Sequence, residues 1–236
     1  MTKTRKSYLA KAVSLLLVLV MMISIIPIIE IPAYAESSGD FSYTILSDGT
    51  AKITEYNGSE SDLTIPSTID GYSVSEIANQ TFWYNNSIVN VYVSDGIKII
   101  RYDSFWRCSN LKTIYIPKSV SSIESWAFTD CTRFECFSVD YQNPNYCSVD
   151  GVLYTKDVKK LVMVPHGKGN FSIPNSVTEI DYCGFCDNVK ITEIVIPDTV
   201  TVIGAQAFRE CSALKTITLP SGLTETPEYC FREAQH

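Results

Sequence analysis

The chain has 236 residues, 45% hydrophobic and 19% charged, a composition that excludes a disordered or low-complexity protein. Its formal net charge is −7, and because the first 35 residues carry four basic side chains and one acidic one, a balance of +3, the remaining 201 residues carry −10. Such a charge repels nucleic acid and anionic lipid, and no basic run offsets it. We therefore expect no nucleic-acid partner.

Residues 1–35 have the pattern of a secretory signal peptide. A basic segment precedes a nearly all-apolar stretch from Ala12 to Ile26, and Ala33-Tyr34-Ala35 forms a small-x-small cleavage site. The apolar stretch is long for a signal peptide, so an uncleaved membrane anchor is the alternative. We expect cleavage, and hence a secreted or cell-surface protein without membrane contact, because no second apolar stretch is long enough to span a bilayer.

Residues 36–236 contain an internal repeat of about 23 residues, which we interpret as one repeat domain. The first unit carries five extra residues near Ile69-Asp70-Gly71. Phenylalanine marks the repeat, in two series that are separated by a gap of 57 residues: Phe82, Phe105 and Phe128, then Phe185, Phe208 and Phe231.

Each unit is predicted to form one coil of a solenoid. In the segment I-x-I-P, alternate apolar residues point to one side of a strand that proline ends. The following V-x-x-I pair turns the chain back across the core, and the A-F pair suits a single helical turn that plugs the interior. One coil cannot bury its apolar side alone, so the sequence predicts stacked coils, a right-handed parallel β-solenoid with one strand and one short helical turn per coil.

The central coil is longer, at 34 residues, and contains a predicted β-hairpin insert over about residues 140–170. Turn signals occur at Asn143-Pro144-Asn145 and at Asp150-Gly151. The segments Val152–Thr155 and Leu161–Val164 have the composition of paired strands. We expect the glycine-rich segment that begins at His166 to be a solvent-exposed loop.

The repeat unit I-x-I-P-x-x-V-x-x-I-x-x-x-A-F-x-x-C resembles the BspA-like, treponemal-type leucine-rich repeats. The resemblance extends from Phe41 to Phe231 and includes the insert N-P-N-Y-C-S-V-D-G-V-L-Y-T-K-D. It implies a leucine-rich-repeat solenoid of a bacterial secreted or surface protein that binds other proteins. The sequence has no clear C-terminal cap before Gln235-His236, so we interpret the chain as a candidate fragment of a larger protein.

Several cysteines share a repeat position with asparagine. This predicts a buried structural ladder in which reduced cysteines and asparagines form hydrogen bonds with main-chain groups of the adjacent coil. Cys136 and Cys147 bracket a turn and are the best-placed pair for a disulfide in a secreted protein. Cys183-x-x-Cys186 lacks the further ligands of a zinc site, so we expect a structural role, with redox or metal binding as alternatives. The ladder positions are Asn85, Cys108, Cys131, Asn188 and Cys211.

Catalysis is not expected. The only histidines are His166 and His236, and the sequence contains no Ser/His/Asp order, HExxH motif or phosphate-binding loop. Acidic residues are scattered rather than paired on one strand face. We therefore predict no enzyme activity, cofactor or metal.

Two pairs of aromatic residues are the candidate binding residues. Tyr92 and Tyr115 lie between inward-facing residues of adjacent strands and are predicted to point outward. Trp83 and Trp106 follow the phenylalanines of adjacent coils and are predicted to stack on another edge, near Tyr84. Either pair is a ligand surface or a stabilising ladder. Elsewhere the outward strand positions carry Thr64, Ser138, Ser172, Val195 and Thr218.

The leading hypothesis is protein binding or adhesion through the sheet face, with a host-matrix or other cell-surface protein as the partner. One alternative is carbohydrate recognition, in which the tryptophans and tyrosines would stack on sugar rings. Another is a passive spacer in a larger surface protein.

Overall fold

The structure is a computed structural model that describes residues 35–223, 225–232 and 234. The predicted signal peptide lies outside this part of the chain, except for Ala35. The secondary structure of the described residues consists of β-strands joined by turns. Within the described residues, no helix has the length and apolar character needed to cross a membrane.

An antiparallel arrangement of three strands covers the N-terminal end of the solenoid. Strand β2 pairs with β1 on one side and with β3 on the other, and β3 then pairs in parallel with β6 (Tyr72–Ile77) of the first coil. These strands are β1 (Glu36–Ser38), β2 (Phe41–Ile45) and β3 (Ala51–Tyr56).

The I-x-I-P segments form a parallel sheet that we call the sheet face. Its strands are β4 (Asp62–Ile65), β7 (Asn90–Val93), β9 (Thr113–Ile116) and β11 (Cys136–Val139). Paired residues lie 23 apart for β7 with β9, and 28 apart for β4 with β7 because of the five extra residues. Alternate residues are buried, so the residue between them points outward, as the pattern predicts.

The second half of each coil forms another parallel sheet on a different side of the core. The five extra residues of the first unit give a short antiparallel pairing of β5 with β6. The strands are β5 (Thr68–Ile69), β6 (Tyr72–Ile77), β8 (Ile99–Ile100) and β10 (Ser122–Ile123).

The insert contains the predicted hairpin, and a third strand joins it. Strand β13 pairs antiparallel with both β12 and β14, and β14 pairs in parallel with β15 (Glu179–Ile180). Alternate residues of β13 face two separate hydrophobic cores, since Leu153 belongs to one and Val152 and Tyr154 belong to the other. The strands are β12 (Tyr146–Val149), β13 (Val152–Thr155) and β14 (Lys160–Met163).

The repeat resumes after the insert with shorter strands. The I-x-I-P segments of this half continue the sheet face as a separate two-stranded sheet, in which β16 pairs with β18. The second halves of these coils extend the sheet of the hairpin, in which β15 pairs with β14 and β17. The strands are β15 (Glu179–Ile180), β16 (Glu193–Val195), β17 (Val202–Ile203) and β18 (Thr216–Thr218).

The A-F segments form a third side of the solenoid, which we call the turn edge: residues 79–84, 102–107, 125–130, 182–187, 205–210 and 228–232. Its phenylalanines stack inside the core, with ring centroids 4.7 Å apart for Phe82 and Phe105 and 5.2 Å apart for Phe105 and Phe128. Main-chain hydrogen bonds join successive coils here; for example, the Phe82 amide donates to the Ser104 carbonyl at 2.8 Å.

The expected helical turn is wrong, because each turn-edge segment is a series of tight turns with left-handed residues, two in each of the first five segments and one among the described residues of the last. Left-handed φ interrupts the right-handed helix, and only glycine adopts it without steric cost. With φ between 53° and 68°, these residues lie two before the phenylalanine, at Gln80, Asp103, Trp126, Cys183, Gln206 and Tyr229, and two after it, at Tyr84, Arg107, Asp130, Asp187 and Glu210.

Candidate binding surfaces

The most ordered group on the sheet face is the pair Tyr92 and Tyr115. Their rings are parallel to within 2°, with centroids 4.6 Å apart. The Tyr92 side chain is 49% exposed, and Tyr115 is half-buried. The outward neighbours on either side of the pair are the small, exposed Thr64 and Ser138, so the outer face of each ring is open.

Asp140 fixes the position of Tyr115. The Tyr115 hydroxyl donates to Asp140 Oδ2 at 3.0 Å, and the other carboxylate oxygen accepts the Gln142 amide at 2.8 Å. Burial, followed by the hydrogen bond to Asp140, raises the pKa of Tyr115 to about 12. The tyrosine is therefore neutral and held in one orientation beside an acidic group.

The sheet face also has a cleft in its C-terminal half. Its volume is about 580 Å³, and its lining includes Ser172, Glu193, Val195 and Thr218. Val195 is 65% exposed between the smaller Ser172 and Thr218. The small outward side chains on either side of Val195 leave the surface recessed, which their residue types alone did not indicate.

The predicted tryptophan pair lies on the turn edge with Tyr84, and the three rings are in mutual contact. The centroids of Trp83 and Trp106 are 5.7 Å apart with an interplanar angle of 41°, and Tyr84 lies 5.5 Å from Trp83 and 5.4 Å from Trp106. Trp83 is 50% exposed and Trp106 is half-buried. The rings form a tilted cluster with one well-exposed tryptophan, not a flat stack.

Polar groups from three successive coils, Tyr84, Arg107 and Asp130, hold this cluster. The Arg107 guanidinium lies 5.0 Å from the centroid of Trp106 and 5.3 Å from that of Tyr84. Its Nη1 donates to the Tyr84 hydroxyl, and its Nε donates to Asp130 Oδ2 at 2.8 Å. Tyr84, Arg107 and Asp130 occupy the same left-handed position in their coils, so their side chains leave the backbone in similar directions.

The turn edge carries further aromatic residues that the sequence analysis did not single out. Trp126 contacts the Tyr182 ring at 6.1 Å, across the insert, and the Arg209 guanidinium at 4.6 Å. Tyr102, Tyr182 and Tyr229 are exposed. All of these lie within three residues of a plug phenylalanine, and that spacing could have identified them.

Each ladder side chain donates to a main-chain carbonyl of the adjacent coil. Cys108, Cys131 and Cys211 are buried, and their thiols lie 3.0, 3.0 and 3.1 Å from the carbonyl oxygens of Phe82, Phe105 and Phe185. Asn85 Nδ2 donates to Gly58 and Asn188 Nδ2 to Pro165, at 3.0 and 2.9 Å.

All eight cysteines are free thiols, including the pair that the sequence suggested for a disulfide. Cys136 and Cys147 are half-buried, and their thiols donate to the carbonyls of Phe137 and Thr155 at 3.4 and 3.3 Å. No disulfide joins them because each thiol is directed to the main chain of its own hairpin or strand. Cys183 and Cys186 are buried on the turn edge beside Phe185.

The expectation that His166 is a solvent-exposed loop residue is wrong. His166 is buried, and its loop is bonded to the preceding coil, since the Gly167 amide donates to the Phe134 carbonyl at 2.7 Å. Burial lowers the pKa of His166 to about 4, since it disfavours the charged imidazolium. Its Nδ1 has no hydrogen-bond partner among the described residues.

Asp187, two residues beyond Phe185, is also buried. Burial raises its pKa to about 7, and the neighbouring Glu210 adds to the shift. Arg209 lies 3.9 Å away and opposes it. Over residues 35–223, 225–232 and 234, no group of three or more His, Cys, Asp or Glu side chains is placed to hold a metal ion.

Comparisons with solved structures find other leucine-rich repeat proteins. A leucine-rich repeat protein from Bacteroides ovatus matches with a TM-score of 0.50 and 21% identity, over 85% of this chain and 45% of that one. The Treponema pallidum leucine-rich repeat protein TpLRR gives 0.48 and 25%, over 80% and 73%. A leucine-rich cell surface protein from Faecalibacterium prausnitzii gives 0.49 and 21%, over 84% and 79%.

The sequence itself matches a known repeat family over most of its length. No curated protein gives a significant match. The pattern of the "BspA type Leucine rich repeat region (6 copies)" matches residues 28–146 and 168–236. These ranges include every coil described above and omit only the central part of the insert. The chain therefore belongs to the BspA-type leucine-rich repeat family.

Proposed function

We propose that this protein is exported to the bacterial surface or secreted, and that it binds another protein through its sheet face. The signal-peptide pattern of residues 1–35 supports export. Solenoids of this kind offer a long preorganised surface, and the role of that surface depends on the side chains that it carries.

The observation that carries the proposal is the stacked pair Tyr92 and Tyr115 with its open outer faces. Tyrosine gives a large contact area with little loss of side-chain entropy, so interfaces are enriched in it. Stacking on each other, together with the bond from Tyr115 to Asp140, fixes both rings before a partner arrives. A surface that is already ordered loses less entropy on binding.

The two halves of the sheet face complement each other in shape. The tyrosines project from the N-terminal strands, and the cleft around Val195 recedes between the C-terminal ones. A partner that covered both regions would bury a projecting aromatic pair and fill a depression, a combination that favours shape complementarity. We place the contact centre at the tyrosines, because buried aromatic anchors dominate interface energies.

The test compares the double variant Tyr92→Ala/Tyr115→Ala with the wild-type protein, both in the form that begins at Glu36. Immobilised collagen, laminin and fibronectin serve as probes, and binding is measured by surface plasmon resonance. We expect wild-type binding to at least one probe and a loss of about tenfold or more in the double variant, with the melting temperature unchanged. Tyr141→Ala is the control, because Tyr141 is 83% exposed outside the strands of the sheet face.

Two results would overturn the proposal. Full affinity in the double variant, with a lower melting temperature, would make the pair a stabilising ladder. No binding of the wild-type protein to any matrix probe would exclude these matrix proteins as partners and remove the adhesion role.

A further inference from the structure

The turn edge differs in composition from the rest of the surface. Its segments contain all three tryptophans and four of the 14 tyrosines, but no Val, Leu, Ile or Met. Among the described residues, the exposed valines are Val149, Val195 and Val202, and all three lie elsewhere. The exposed rings on this edge are Trp83, Tyr84, Tyr102, Tyr182 and Tyr229.

A surface of rings and polar groups without aliphatic side chains suits a particular kind of ligand. A pyranose sugar presents a flat face of C–H groups bordered by hydroxyls. Tryptophan and tyrosine can cover such a face while neighbouring polar groups bond the hydroxyls.

The polar groups that this binding requires are fixed beside the best-exposed ring cluster. Arg107 is held between the Tyr84 hydroxyl and Asp130, and its guanidinium also lies over Trp106. The Trp106 Nε1 lies 3.4 Å from Asp130 Oδ2, so the same carboxylate orients the ring. Donors and acceptors that are already oriented cost little to order when a ligand arrives.

The aromatic residues follow the axis of the solenoid. Successive coils repeat about every 4.8 Å, the spacing of adjacent strands. Trp83 and Trp106, which directly follow the phenylalanines of adjacent coils, lie 5.7 Å apart along this axis. Trp126 and Tyr182, 6.1 Å apart, precede their phenylalanines and form a separate pair. Rings in adjacent coils can contact successive units of a linear polymer. The net charge of −10 outside the first 35 residues disfavours an acidic polymer.

We propose that the turn edge binds a neutral linear polysaccharide of pyranose units. Trp83 and Tyr84 supply the stacking surface, and Arg107 and Asp130 bond the hydroxyls. This binding site is separate from the sheet face, so the inference does not depend on the protein-binding role proposed above.

The experiment uses the protein that begins at Glu36. Native gels containing hydroxyethyl cellulose, and sedimentation with insoluble cellulose and chitin, measure binding; carboxymethyl cellulose is the acidic counterpart. We expect a neutral polymer to retain the wild-type protein and carboxymethyl cellulose to retain it less. Trp83→Ala should weaken retention by about tenfold or more. Tyr84→Asn should also weaken it, and asparagine tolerates the φ of 54° at that position, which separates loss of the ring from strain.

The controls are Tyr141→Ala and the sheet-face variant Tyr92→Ala/Tyr115→Ala, which should both keep wild-type retention. The proposal is overturned if no neutral polymer retains the wild-type protein. It is also overturned if Trp83→Ala and Tyr84→Asn, with unchanged melting temperatures, bind as the wild-type protein does. Loss of retention in the sheet-face variant would assign the sugar to the other surface and likewise overturn it.

Discussion

The Cys131 thiol lies 3.0 Å from the carbonyl oxygen of Phe105 and so joins its coil to the preceding one. Cys131→Ala removes this bond between coils, while the Cys108 amide still donates to the same carbonyl at 3.1 Å, so we expect a loss of about 0.5–1.5 kcal/mol in the free energy of unfolding. Cys131→Asn should lose less, because Asn188 already fills the same position. Urea denaturation measures both. Cys136→Ala, at a half-buried thiol, is the control; a fully stable Cys131→Ala would contradict the ladder.

Because the turn edge contains non-glycine residues with left-handed φ, replacing one of them by glycine should stabilise the protein. Gln80 has a φ of 60° and an exposed side chain, so Gln80→Gly removes steric cost without removing packing. We expect a gain of up to about 1 kcal/mol, since the added chain entropy of glycine offsets part of the relief. Asn79→Gly, at a neighbouring exposed residue outside the left-handed region, should destabilise. Thermal unfolding compares the two, and equal effects would argue against strain at Gln80.

Two buried groups predict opposite dependences of stability on pH. Asp187 has a folded pKa of about 7, above its ordinary 3.8, so its contribution to stability declines as pH rises from about 4 to 7. His166 has a folded pKa of about 4, below its ordinary 6.5, so its contribution increases as pH rises from about 4 to 6.5. In the wild-type protein these two effects of pH on the free energy of unfolding oppose each other.

Single variants separate these slopes. As the pH rises from 4 to 6.5, the free energy of unfolding of Asp187→Asn should increase, because only the effect of His166 is left. Over the same range that of His166→Gln should decrease, because only the effect of Asp187 is left. Each change is at most about 1.4 kcal/mol per pH unit. Urea denaturation at several pH values measures both. Parallel profiles for the wild-type protein and both variants would show that neither group titrates in this way.

Export predicts a defined N-terminus. The cleavage site Ala33-Tyr34-Ala35 directs a signal peptidase to the bond after Ala35, so the exported protein should begin at Glu36. Intact-mass measurement of protein recovered outside the cytoplasm checks this. Recovery of a membrane-embedded chain that retains Met1 would favour the uncleaved anchor.

The strands were predictable because their signal is periodic. Inward residues such as Ile114 and Ile116 repeat at fixed intervals, and that interval sets which strands pair. The left-handed turns gave no such signal, since residues as different as Gln80, Trp126 and Cys183 occupy them and none is glycine. Hydrogen bonds between coils impose this backbone conformation, and a single sequence does not reveal them.

The environment of His166 was mispredicted because glycine has two uses. Gly167 suggested a flexible, solvated turn, but a Cβ atom there would lie 2.7 Å from the Thr132 carbonyl oxygen. The glycine therefore permits close packing against the preceding coil. The candidate site was predictable only in part: Tyr92 and Trp83 stood out by residue type, whereas the cleft beside Val195 depends on the size of its neighbours.

Strand β13, which separates the two hydrophobic cores, also limits how far unfolding can spread cooperatively from one coil to the next. In repeat proteins each unit is stabilised mainly by its immediate neighbours, so disruption spreads only across continuous interfaces. Here Leu153 packs with the N-terminal coils and Tyr154 with the C-terminal ones, and the parallel ladder of β10 does not continue into β12. The coils before β13 and those after it should therefore unfold in two separate steps. One half can then lose its structure while the other keeps its binding surface.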